Sequence, residues 1–171
     1  MRIYAGVTDQ DWFDYLRAQP QIEEVNFWQP SGRSEFRALR QGDLFLFKLH
    51  RNDRTRSRAD GPDLIAGGGV FASFSVLPIS WAWETFDVSN GAPSYPKLRR
   101  QVLRHRPIPD DPRKDFHVGC VILTQPFFID EAQWFPVPEW RASIVRGKGY
   151  DFDTQVGKYL WDNVQRAWQL K

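Results

Sequence analysis

The run Asn26-Phe27-Trp28-Gln29 sets a large stacking face beside two side-chain amides. An indole stacks on any base, and the amides of Asn26 and Gln29 carry the donors and acceptors that pair with a base edge. Lys48 and His50 end the strand that follows, where each is in reach of a phosphate or a base carbonyl. The next loop carries Arg51, Arg54, Arg56 and Arg58, and guanidinium forks match phosphate oxygens two at a time. Trp81 and Trp83 lie two apart in a helical segment and so point about 200° apart, one into the core and the other towards a pocket. Near the C-terminus, Gly147-Lys148-Gly149-Tyr150-Asp151 offers a cation, a ring and a carboxylate able to accept from an exocyclic amine such as cytosine N4. Each feature also has a plainer reading: Trp28 as core, His50 as an exposed strand end, the arginine loop as a solvated segment, and the Gly-Lys-Gly run as a tight turn before a helix cap. Together they describe recognition of a nucleobase and its phosphates.

Catalytic chemistry is poorly represented. His50, His105 and His117 are not spaced as metal ligands, and no zinc-protease or nucleophile-elbow motif occurs. The glycines of Ile65–Phe71 lack the spacing of a phosphate-cradling loop. Asp110, Asp111 and Asp115 sit in a Pro-rich surface segment, and a metal-dependent nuclease built on them is the third-ranked alternative. Cys120 is the single cysteine, which excludes an internal disulfide and a cysteine zinc site; its apolar surroundings predict an inert thiol. No cofactor and no metal are expected, and the chain by itself is not expected to be an enzyme.

The elements that must position these residues are legible in outline. With 171 residues the chain is long enough for one domain with a substantial core. The net charge of +2 says little about partners, but its distribution says more. Five cations fall between Lys48 and Arg58 and five between Lys97 and Arg106, while acids gather at 9–24 and 110–139, which gives the molecule a basic side. Arg2–Val7 reads as an opening strand, Thr8 as the cap of a helix ending near Pro20, and Asp43–Leu49 as a strand apolar on both faces. Leu64–Ser75 and Val118–Leu123 read as further strands. In Leu64–Ser75, Gly67, Gly68 and Gly69 allow a bulge, a barrel corner or close backbone approach. Ser80 is expected to cap a short helix and Ser94 to open a basic one; the stripe Val156, Leu160, Val164, Trp168 marks the last helix. The order predicts an α+β fold: a partly closed, mostly antiparallel β-barrel with flanking helices. Asp9, Asp11 and Asp14 interrupt the first twenty residues and no apolar run approaches membrane length, so a cytoplasmic location without membrane association is the default expectation.

The pattern NFWQPSGRSEFRALRQGDLFLFKLH…LIAGGGVFASFS…SWAWETF resembles the PUA superfamily, in particular its EVE, ASCH and SRA-type modified-base readers. With the segments TQPFFI…W and RGKGYD, it looks most like the N-terminal module of HNH-containing, modification-dependent restriction endonucleases. The resemblance implies that residues 1–171 form one reader domain, a module of a longer protein with a C-terminal nuclease that supplies a homodimer contact. It implies double-stranded DNA carrying 5-methylcytosine or 5-hydroxymethylcytosine as the partner, the base being flipped into an aromatic pocket. By motif position Trp28 sits in that pocket, with Asn26, Phe27, Lys48, His50, Tyr150 and Asp151 around it. Arg33, Arg37, Arg146 and Lys148 join the loop arginines as backbone contacts. The long arginine loop after His50 departs from the pattern. An RNA-binding ASCH- or PUA-like module is the alternative.

Overall fold

The computed structural model describes residues 1–50, 63–106 and 108–170. Strand β1 (Arg2–Thr8) leads into helix α1 (Gln10–Arg17), whose N-cap is Asp9, accepting from Asp11 N. Thr8, expected as the cap, instead turns its hydroxyl back to Gly6 O. The aromatic-polar run is itself a strand, β2 (Glu24–Gln29). Strand β3 (Leu44–Leu49) is buried on both faces, as its continuous apolar run predicts. Strands β4 (Leu64–Pro78) and β5 (His117–Phe128) are the long ones; β6 (Phe135–Pro136) and β7 (Gly147–Asp151) are short. Helix α2 (Ile79–Phe86) starts ahead of the expected Ser80 cap, and Asp115 caps it from outside by accepting from both Ser80 N and Ser80 Oγ. Helix α3 (Tyr95–Leu103) is capped by Ser94 with Pro96 in its first turn, and α4 (Gln155–Gln169) by Thr154.

The strands form one sheet in the order β2–β5–β4–β3–β1–β7, with β6 beside β4. Among the described residues only β1 and β3 pair in parallel; the other pairs are antiparallel. Register shifts at Gly68/Val70 and Phe71/Ser73 act as bulges that bend β4 and curl the sheet. The curl brings the Phe27 ring on β2 within 4.6 Å of Phe45 on β3, although β5 and β4 lie between them in the sheet. The expected barrel nevertheless does not close, because β2 and β7 end the path unpaired with each other. One carbonyl that a closing strand would need on β2, that of Asn26, is taken by Trp12 Nε1 of α1 at 3.2 Å. A Cβ at Gly67 would run into Phe127 O and one at Gly68 into Phe45 O, so these glycines permit close strand packing rather than phosphate binding.

Two apolar layers result. Inside the curl, Trp12 and Phe13 of α1 meet Phe27, Phe47 and Phe128 edge-on or tilted at 5.2–6.4 Å. Outside it, α4 packs beside β7 and reaches β5, with Trp168 lying 5.1 Å from Phe127. Helix α2 and the 3-10 turn Asp87–Asn90 cover the outer face of β2.

Candidate nucleic-acid interface

Successive side chains of a strand point to opposite faces, and that divides the Asn26–Gln29 run in two. Phe27 and Gln29 face the inside of the curl; Asn26 and Trp28 face the helices. Trp28 is only 9% exposed, and its Nε1 donates to Asn90 O at 3.0 Å. Asn26 is fully buried and donates through Nδ2 to Asn90 Oδ1 at 2.9 Å. Asn90 in turn donates to Ala82 O at 3.0 Å and Asp87 O at 2.9 Å. The two residues expected to stack on and read a base are therefore committed to a buried network that fastens α2 to β2, and they leave the pocket assignment.

On the concave side the same strand does the opposite. Phe27 and Gln29 stay half-buried, beside the half-buried rings of Tyr4 on β1, Phe36 on the β2–β3 connection and Phe74 on β4. Tyr4 meets Phe36 edge-on at 5.1 Å and Phe45 at 5.2 Å; Phe36 lies 6.4 Å from Phe74. Gln29 Oε1 is enclosed here without a hydrogen-bond partner. Gly119 makes room for it: a Cβ there would come within 3.1 Å of both Gln29 Oε1 and the Phe74 ring. Burial raises the Tyr4 hydroxyl pKa, with the Arg146 charge working the other way, so Tyr4 is a neutral phenol at physiological pH.

Cations stand beside these rings. Arg146 Nη1 donates to Ser34 Oγ at 3.2 Å, tying the segment before β7 to the β2–β3 connection, and Arg2 Nη1 donates to Ala38 O at 3.1 Å. Arg33 is exposed on the same connection; Arg37 is exposed too but paired with Glu35. Tyr4, Phe36 and Phe74 were not anticipated. The position of Tyr4 between Ile3 and Ala5 on a strand, and the aromatic after Gly32-Arg33-Ser34-Glu35, are the signals that would have pointed to the first two.

The remaining expected residues lie elsewhere. Lys48 is buried on the outer face, its Nζ 2.7 Å from Asp63 Oδ1 and 4.8 Å from the Trp140 ring. Tyr150 is buried on that face under the Lys148 ammonium at 5.4 Å. Asp151 turns the other way and pairs with Arg2 at 3.1 Å. His50 is exposed at the end of β3, its backbone N–H donating to Thr8 O. Trp81 stands 60% exposed on α2, whereas Trp83 packs half-buried against the core. The expected pocket thus disperses over the buried network, both faces of the sheet, the end of β3 and helix α2. Arg51, Arg54, Arg56 and Arg58 lie outside the described residues.

Asp110, Asp111 and Asp115 do not converge either. They serve Arg99 at 3.1 Å, Arg113 at 3.1 Å and the N-terminus of α2 respectively, and among the described residues no group of acids, histidines and cysteine is arranged to hold a metal. Comparison with protein-family models, with curated proteins and with solved structures returns no match to this chain. Its chemistry therefore has to be read from the geometry. No helix among the described residues is long and apolar enough to cross a membrane. Cys120 is buried beneath α2, and burial raises its thiol pKa, which removes thiolate chemistry at neutral pH. What the curl offers instead is a set of ring faces, one unsatisfied carbonyl and a cationic rim.

Proposed function

We propose that this chain binds DNA and holds one everted base, 5-methylcytosine or 5-hydroxymethylcytosine, on the concave side of its curled sheet. One observation carries the reading: an amide carbonyl, Gln29 Oε1, that has no hydrogen-bond partner among the described residues lies beside the Phe74 ring, on the face of the sheet that also carries the half-buried rings of Tyr4, Phe27 and Phe36. A buried acceptor left unpaired costs about 1–3 kcal/mol, which a ligand donor recovers. Cytosine N4 is such a donor, the rings supply stacking and apolar contact for a 5-substituent, and Arg33 and Arg146 face the phosphates at the rim. Extruding a base costs a few kcal/mol, and stacking of about 1–3 kcal/mol together with the Gln29 bond offsets it. This supports the likeness to PUA-type readers in function, with an open curled sheet in place of a barrel. In this reading the chain is the specificity module of a nuclease carried in the same longer protein. In this reading the chain binds and does not cleave.

The test is a binding panel of short duplexes containing cytosine, 5-methylcytosine, 5-hydroxymethylcytosine or a phosphorothioate linkage, with single-stranded RNA as competitor. Wild-type protein prefers a modified-cytosine duplex. Gln29→Leu binds the modified-cytosine duplex about tenfold more weakly, the equivalent of one hydrogen bond of about 1.4 kcal/mol, and melts at or above the wild-type temperature because it removes a buried unpaired acceptor. An unchanged affinity for the modified duplex in Gln29→Leu removes the pocket from this face, and tighter binding of RNA than of any duplex replaces DNA by RNA as the ligand.

A further inference from the structure

The outer face beside β7 carries a second feature that the base pocket does not use. Glu139, Trp140, Arg141, Ser143, Ile144 and Lys148 line an open hollow of about 810 Å³, within the size range of small-molecule sites. The Trp140 ring lies over the buried Lys48 ammonium at 4.8 Å, and Lys48 is itself paired with Asp63. A cation beneath an indole fixes its plane without consuming its edge. The chain accepts backbone strain to build this place: Asp63 has φ 72° and Glu139 has φ 56°, both left-handed, and Val137 N donates to Asp63 O to lock the two segments together. Arg141 and Lys148 are exposed, and neither has a carboxylate within salt-bridge distance among the described residues.

The position of the hollow relative to the mouth gives its meaning. In β7, Gly147 and Gly149 pair with Gly6 and Tyr4 and share the concave side, whereas Lys148 pairs with Ala5 and points outward. Arg146 holds the mouth through Ser34, and Lys148, two residues on, lines the hollow. Arg146 precedes β7 and Lys148 lies within it, so the cation of one site and the cation of the other leave the same edge segment towards opposite faces of the sheet. That edge has no strand partner among the described residues.

We infer that the Trp140–Lys148 hollow is a second nucleic-acid subsite, which takes a phosphate-bearing nucleotide of the strand that flanks the everted base. Arg141 and Lys148 contact its phosphates and Trp140 its base or sugar face. The inference rests on the base-reading proposal for the identity of the strand, and it assigns the hollow to affinity and the concave mouth to discrimination.

The experiment titrates labelled 5-hydroxymethylcytosine and plain duplexes of one sequence against wild type, Arg141→Ala/Lys148→Ala and Trp140→Leu over a range of salt. Two phosphate contacts contribute a slope of about 1.8 in log K against log salt, so the double variant binds both duplexes about thirtyfold more weakly at ~0.15 M salt, with a slope smaller by about 2. Its ratio of modified to plain affinity stays at the wild-type value. Trp140→Leu weakens both about tenfold through lost stacking, with an unchanged slope. A double variant with wild-type affinity and slope overturns the inference and leaves the Gln29 reading intact. A wild type that prefers no modified duplex, with the slope loss still present in the double variant, overturns the base reading and keeps the hollow as a contact to plain DNA. Absence of DNA binding by the wild type ends both.

Discussion

Replacing Trp28 by Phe separates a residue that reads a base from one that holds the fold. The indole N–H donates to Asn90 O at 3.0 Å in a setting closed to water, and phenylalanine supplies no donor. The orphaned buried carbonyl costs about 1–3 kcal/mol. The smaller ring leaves a gap beside Asn90, worth about another 1 kcal/mol. The sum of about 2–4 kcal/mol is a large share of a typical total stability of about 5–15 kcal/mol, yet it leaves the protein folded. For a chain of this length each kcal/mol moves the melting midpoint by about 2–4 °C, so a fall of about 4–16 °C is expected in calorimetry. Below the transition, the preference of Trp28→Phe for modified over plain duplex equals that of the wild type. Alanine is the wrong probe, since truncating a buried Trp costs about 3–5 kcal/mol before the lost hydrogen bond is counted. A Trp28→Phe protein that melts with the wild type but no longer discriminates would refute the argument and return the indole to the binding site.

Two further outcomes follow from the ionic contacts. Lys48→Met removes the ammonium partner of the buried Asp63 carboxylate and should destabilise by about 3–5 kcal/mol; Lys48→Met/Asp63→Asn removes both charges and should recover most of that, with denaturant titrations as the measure and no recovery counting against a structural pair. The Asp9 carboxyl is held below its usual pKa, first by the His105 imidazole 3.9 Å away and also by the Asp11 N–H it caps. A depressed carboxyl contributes its stability above the unfolded value of about 3.9 and loses it as pH falls through the lower folded value. Asp9→Asn, which keeps a cap but cannot titrate, should therefore show a shallower fall in melting temperature below about pH 4, and parallel curves for the two proteins would exclude the linkage.

The helices were legible because their signals are local. Ser94 followed by Pro96, and Thr154 before the stripe Val156–Leu160–Val164, place caps and apolar faces within a few residues of each other. Strand β3 was legible for the same reason, its apolar run having no polar face to hide. The helix cap at α2 was not, since its acceptor, Asp115, comes from a residue 35 positions away.

The candidate site shows where the division lies. Composition and order alone determined an α+β chain, its apolar strands and a buried cysteine, because these depend on residue type and short-range period. Which half of the Asn26–Gln29 run packs under helices and which lines the curl was decided only by tertiary structure. A strand's alternation states that neighbours diverge, but not which face meets helices and which meets the open curl. Asn90, Ala82 and Trp12 settle that from distant parts of the chain, burying Trp28 and Asn26 and leaving Gln29 among the rings of Tyr4, Phe36 and Phe74.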